Sequence, residues 1–122
     1  MPRKKKKKKL WSKQSKYKCK DGSLVLMDST WEVAMAERLD HLKIAWERKS
    51  DMKLPYYSKT GRKRNYIPDF YLPDYDTYIE VKGYWTDAAR YKMNSVQSTN
   101  PVKIVILESL EAVNKFTRWK LK

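Results

Sequence analysis

The segment that most constrains this chain is residues 65–83. Two stretches rich in Ile, Phe, Tyr and Val, residues 65–72 and 77–83, flank Pro73-Asp74-Tyr75-Asp76. Those four residues are turn formers, so the segment reads as a β-hairpin. A four-residue turn pairs Leu72 with Thr77 and sets Asp69 directly opposite Glu80. Alternation along the strand then puts Lys82 on the face of Glu80 and turns Val81 away. Phe70, Leu72, Ile79 and Val81 fall on the other face, where they can build a core. Two carboxylates and an ammonium thus gather on one face of one hairpin. Like charges opposite each other destabilise a sheet, so the arrangement demands an offset. A divalent cation supplies it, and hard oxygen ligands suit Mg²⁺. Lys82 alone offsets part of the repulsion, which leaves a surface salt-bridge cluster as the alternative. That alternative does not explain Pro68, which removes a ladder donor and is unusual inside a strand.

A helix precedes the hairpin. Ser29-Thr30-Trp31-Glu32 has the capping-box form, with Ser29 as N-cap and Glu32 at the third helical position. Trp31, Met35, Leu39 and Leu42 give the helix an apolar face, and it ends near Lys43. Glu32 shares the side that carries Ala36 and Leu39, whereas Glu37 faces solvent. Glu32 is therefore either a capping residue alone or a third acid kept ionised by the helix dipole. Upstream, residues 17–20 and 23–27 flank Asp21-Gly22, a type I′ hairpin signal. Downstream, residues 44–48 and 52–58 read as strands, and Gly61 sits in a basic turn over 59–64. Thr86 caps a second helix running to about Gln97. Residues 102–107 form a short apolar strand expected in the sheet interior, and residues 110–119 a third helix. The order ββ-α-ββββ-α-β-α predicts an α/β fold, a mixed β-sheet flanked by helices, in a single small domain over residues 16–122. Residues 1–15 read as a disordered lysine-rich arm.

The net charge is +14. Arg3 and Lys4, Lys5, Lys6, Lys7, Lys8 and Lys9 supply seven of the 28 cations, and the other 21 against 14 acids leave +7 on the body. A basic arm on a basic body points to a polyanion, with nucleic acid first. An acidic membrane surface comes second, because no amphipathic apolar stripe accompanies the lysines. The lysine cluster adds affinity by releasing counterions and reads no sequence, or else serves only solubility. Arg62, Lys63 and Arg64 precede the hairpin, and Arg90 and Lys92 lie on the second helix. Phosphate contacts or solvated faces both suit them. Tyr84 and Trp85 either stack on an opened base or anchor that helix. Tyr56, Tyr57, Tyr66, Tyr71, Tyr75 and Tyr78 are consistent with packing and with DNA contact alike.

Several classes are excluded or disfavoured. No apolar run reaches the length of a membrane span, and the basic N-terminus has no apolar segment behind it, so it is not a secretory signal. One cysteine, Cys19, excludes an internal disulfide and leaves a cysteine zinc site without partners, which fits a cytoplasmic setting. His41 is the only histidine and reads as a helix-surface residue, which speaks against nucleases that use a histidine general base.

Pro68-Asp69, then Glu80-Val81-Lys82, has the PD-(D/E)xK form. The longer string Ser29-Thr30-Trp31-Glu32, Tyr66-Ile67-Pro68-Asp69-Phe70-Tyr71-Leu72-Pro73 and Ile79-Glu80-Val81-Lys82-Gly83-Tyr84-Trp85 resembles the phage endonuclease I family, which resolves four-way DNA junctions. The resemblance covers roughly residues 28–110. It implies a restriction-endonuclease-like fold and catalysis by Glu32, Asp69, Glu80 and Lys82. It implies one or two Mg²⁺ ions, with Mn²⁺ able to substitute. Asp69, Glu80 and Val81 would contact the metal, with Glu32 on the metal or its water. Lys82 would orient the attacking water or stabilise charge at the phosphate. It further implies branched DNA as substrate and a homodimer that exchanges halves, so that Glu32 can come from the partner chain. No membrane and no other protein partner is expected. A homing, restriction or head-completion nuclease of the same fold is the neighbouring reading. Outside the enzymes stand a non-catalytic basic nucleic-acid-binding module and a membrane-surface or assembly protein that uses the lysine arm.

Overall fold

Three antiparallel pairings and one parallel pairing organise the chain. The computed structural model describes residues 14–48 and 51–122. The lysine run and most of the expected arm, residues 1–13, lie outside the described residues. Gln14 and Ser15, also assigned to the arm, are described: Gln14 donates to Asp28 at 3.2 Å, and Ser15 opens the first strand.

β1 (Ser15–Lys18) pairs with β2 (Leu24–Met27). The Asp21-Gly22 signal marks the turn, but the turn is not the two-residue type expected. Gly22 N–H donates to the Cys19 carbonyl, Cys19 N–H to the Ser23 carbonyl, and Gly22 alone takes a positive φ, of 88°. That is a three-residue loop with glycine in the left-handed position, so the first strand lies two residues earlier than expected and the second begins one residue later. α1 (Thr30–His41) follows with Ser29 as its cap, accepting from Glu32 N–H.

The four central strands match the expected count through two compensating differences. Residues 44–48 form no strand; Glu47 makes a lone antiparallel bridge to Tyr71. The stretch 65–72 is instead split, into β4 (Lys63–Tyr66) and β5 (Phe70–Leu72), with Ile67-Pro68-Asp69 between them. Pro68 has no N–H to donate, and the ladder stops there. β4 pairs with β3 (Leu54–Tyr57). β5 pairs with β6 (Thr77–Val81) in the expected register, Leu72 opposite Thr77 and Phe70 opposite Ile79. α2 (Asp87–Thr99), capped by Thr86, crosses over to β7 (Lys103–Leu107), which lies parallel to β6. β7 pairs with β6 alone among the described residues, so it is an edge strand and not interior. α3 (Leu110–Asn114) is short, and a 3₁₀ turn at Arg118–Leu121 replaces the rest of the expected third helix.

The result is a small α/β domain with three separate sheets and three α-helices among the described residues, not one continuous sheet. The β5–β6–β7 sheet is its middle layer. Phe70, Leu72, Ile79 and Leu107 point to one side and pack with Met35, Ala36 and Leu39 of α1 and with Val113 and Phe116. Tyr78, Ile104 and Ile106 alternate to the other side, against a second core of Leu54, Tyr56, Tyr66, Met93 and Val96 between β3–β4 and α2. No helix among the described residues is long and apolar enough to cross a membrane.

Candidate active site

Asp69 lies one residue beyond the paired part of β5, and the register carries it to Glu80. Its carboxylate neighbours that of Glu80 and accepts the Val81 N–H at 2.7 Å. Burial, followed by the neighbouring Glu80 charge, holds the Asp69 carboxyl well above the usual carboxylate range. Glu80 is itself buried and accepts a hydrogen bond from the Tyr66 hydroxyl. Burial and the Glu80 charge push the Tyr66 phenol far above its ordinary value, so it stays a donor. Strand alternation keeps Lys82 on this face. Its ammonium stands 5.9 Å from the Trp85 ring centre and in no ion pair among the described residues.

Glu32 arrives from the first turn of α1 and is buried. Its carboxylate accepts from the Ser29 hydroxyl and, at 3.4 Å, from the N–H of Asp28, one residue before the cap, so it supports the Ser29 cap without closing the expected box on the Ser29 N–H. Burial and then the Asp69 charge raise its pKa to about 6, against a lowering pull from Arg48. Capping and membership of the acid cluster therefore coincide in one residue of one chain, and no exchange between subunits is needed to bring Glu32 to Asp69.

Two side chains of this cluster were not assigned to it from the sequence. Arg48 follows the lone bridge at Glu47 and reaches into the acids. It meets Glu32 at 2.6 Å, Asp28 at 3.1 Å and Asp69 at 3.8 Å. The same guanidinium donates to the main-chain carbonyls of Leu26 and Asp69, both at 3.0 Å. Five fixed donors make arginine suited to such a junction. Nothing local to residues 44–48 marks it; the only hint was the surplus of negative charge that had to be met. Tyr66 was one tyrosine among six, and its partner became visible only when β4 turned back over β6.

The donor chemistry of Asp69 and Glu80 fits a divalent cation: two neighbouring carboxylates offer hard oxygens, and the repulsion between them is what a cation would relieve. Val81 could join only through its main-chain carbonyl. Among the described residues no three His, Cys, Asp or Glu side chains converge as a ready ligand set, and Glu32 is directed to Arg48 instead.

The predicted basic residues divide. Arg64 and Lys92 line one cleft of about 410 Å³ together with Lys82. Lys63 alternates to the other face of β4, Arg62 sits in the turn, and Arg90 stacks over Trp85 at 5.2 Å beside a different hollow. Trp85 packs against the second core while Tyr84 is exposed, so anchoring describes the first and not the second. Tyr56 and Tyr66 are core residues, and Tyr57 is exposed.

No protein family, no curated protein and no solved structure matches this chain significantly.

Proposed function

We propose that the chain is a metal-dependent DNA endonuclease of the PD-(D/E)xK kind, selective for branched DNA. The observation that carries the reading is the pair of half-buried Asp69 and buried Glu80, with Lys82 two residues further along the same strand face. Asp69 and Glu80 would hold Mg²⁺, with the Val81 carbonyl beside them. When bound, such an ion supplies neutralisation of phosphate charge and a more acidic water. The chain's own groups do the rest. The Val81 N–H and the Tyr66 hydroxyl fix the two carboxylates in place. Arg48 holds Glu32 at the margin of the pair. Lys82, in no ion pair among the described residues, would meet negative charge as it develops at the scissile phosphate. The basic surface brings the polyanion, and the likeness to junction-resolving enzymes supports branched DNA over plain duplex.

Arg48 favours a second reading. Its guanidinium already offsets part of the acid charge, as it would in a non-catalytic nucleic-acid-binding module. The two separate when a labelled four-way junction is incubated beside its linear arms, with and without Mg²⁺, for wild type and Glu80→Ala. Junction cutting that needs both Mg²⁺ and Glu80 is expected. Cutting of linear duplex alone would move the enzyme to the homing or restriction type. Tight binding without cutting would support the binding module.

A further inference from the structure

On the second-core side of β6 the chain builds a cleft whose make-up differs from that of the acid cluster. The β3–β4 hairpin contributes Lys59 and Arg64, α2 contributes Tyr91 and Lys92, and Lys82, two residues after Glu80, also lines it. The register explains why Arg64 enters it: Arg64 pairs with Tyr56, and both face α2, while Lys63 faces away. No aspartate or glutamate lines the cleft, and none of its four cations is in an ion pair among the described residues. The positive charge is held on aromatic faces instead. Lys59 stands 5.4 Å from the Tyr91 ring centre, and Lys92 stands 5.8 Å and 5.4 Å from those of Tyr56 and Tyr66. Ala88 and Ala89 of the first turn of α2 also line it, with the Ala89 N–H held by the Thr86 cap. Four unpaired cations facing one hollow repel one another, and an anion relieves that.

We infer that this cleft is a nucleotide-binding subsite, taking a phosphate on Lys59, Arg64 and Lys92 and the attached base against Tyr91. The inference deepens the nuclease reading and rests on it for the choice of nucleic acid over other anions. Its volume, about 410 Å³, lies at the small end of ligand pockets, which run from roughly 300 to 1,000 Å³, and suits one nucleotide better than a helix groove. Tyr91 is 39% exposed and presents a ring for stacking, which does not depend on base identity. Lys82 belongs to both regions, so a nucleotide held here would sit next to the one being cut.

The test is metal-free, which separates it from cleavage. In EDTA, 5′-deoxythymidine monophosphate is titrated into the full chain and followed by amide NMR shifts, with thymidine and inorganic phosphate as comparison probes. The monophosphate should shift Ala88, Ala89 and Tyr91, bind more tightly than phosphate, and leave thymidine without effect. The double variant Lys59→Ala, Lys92→Ala should weaken it about tenfold, as expected for loss of charge-assisted contacts. Tyr91→Ala should bring the monophosphate down to the affinity of phosphate. Lys103→Ala, on the edge strand away from the cleft, should leave binding unchanged. All these side chains are exposed, so loss of fold does not confound the comparison. Shifts located elsewhere, equal binding by the double variant and Lys103→Ala, or phosphate binding as tightly as the nucleotide would each overturn the assignment. Failure here leaves Mg²⁺-dependent cutting to be judged separately, and absence of cutting leaves this binding intact.

Discussion

Glu32 shows how one side chain carries several obligations at once. It supports the Ser29 cap of α1, pairs with Arg48 and borders Asp69, and its pKa stands at about 6 against an ordinary 4.5. A carboxyl raised on folding stabilises the protein most when protonated. The contribution is full below pH 4.5 and is lost as pH rises through about 6. In EDTA, wild type should therefore lose roughly 2 kcal/mol relative to Glu32→Gln between pH 4.5 and 7. Parallel stability profiles for the two chains would contradict this. Arg48 is the counterpart. Its side chain is only 14% exposed and those of Glu32 and Asp69 little different, so removing the cation strands buried charge. Arg48→Met should cost about 3 kcal/mol in urea denaturation without metal, and Mg²⁺ should restore part of it. A loss under about 1 kcal/mol would mean that the acids hold themselves.

At the scale of elements, what was legible followed from local rules. The 73–76 turn and strict alternation fixed the β5–β6 register and with it the Asp69–Glu80 contact. Ser29 and Thr86 announced their helices because an N-cap needs a side-chain acceptor at one position. Pro68 was read as an oddity inside a strand, when its missing N–H ended the strand. Three sheets in place of one, the edge position of β7 and the reach of Arg48 depend on contacts between distant segments, which no local pattern encodes. Gly83 illustrates such a contact. A Cβ there would lie 2.5 Å from the Trp31 ring, so the end of β6 and the start of α1 touch across this glycine. Gly83→Ala should cost about 1–3 kcal/mol in thermal denaturation, with Trp31→Leu in the same chain recovering part of it. An unchanged melting temperature would show that the ring moves aside freely.

For the whole molecule, the acids and the cations occupy different regions of one surface. The carboxylates are drawn between the two cores, where burial strengthens their repulsion. Lys59, Arg64, Lys82 and Lys92 gather in one cleft on the second-core side, in no ion pair among the described residues. On the proposed reading, the lysine run at residues 4–9 would add to the holding of a polyanion and not to the chemistry. Deleting residues 1–9 should flatten the dependence of log K on log salt by several units and leave the cleavage rate at saturating DNA unchanged. A slower rate at saturation would place those lysines in the chemistry.

The central claim is that Asp69 and Glu80 do metal-assisted hydrolysis, and a single-turnover cleavage rate on a four-way junction tests it most directly. Glu80→Gln keeps an acceptor for Tyr66 while removing the charge. With Mg²⁺ at saturating DNA, the variant should cut at least about a hundredfold more slowly than wild type. Equal rates, or no Mg²⁺-dependent cutting by wild type on any DNA, would contradict the account.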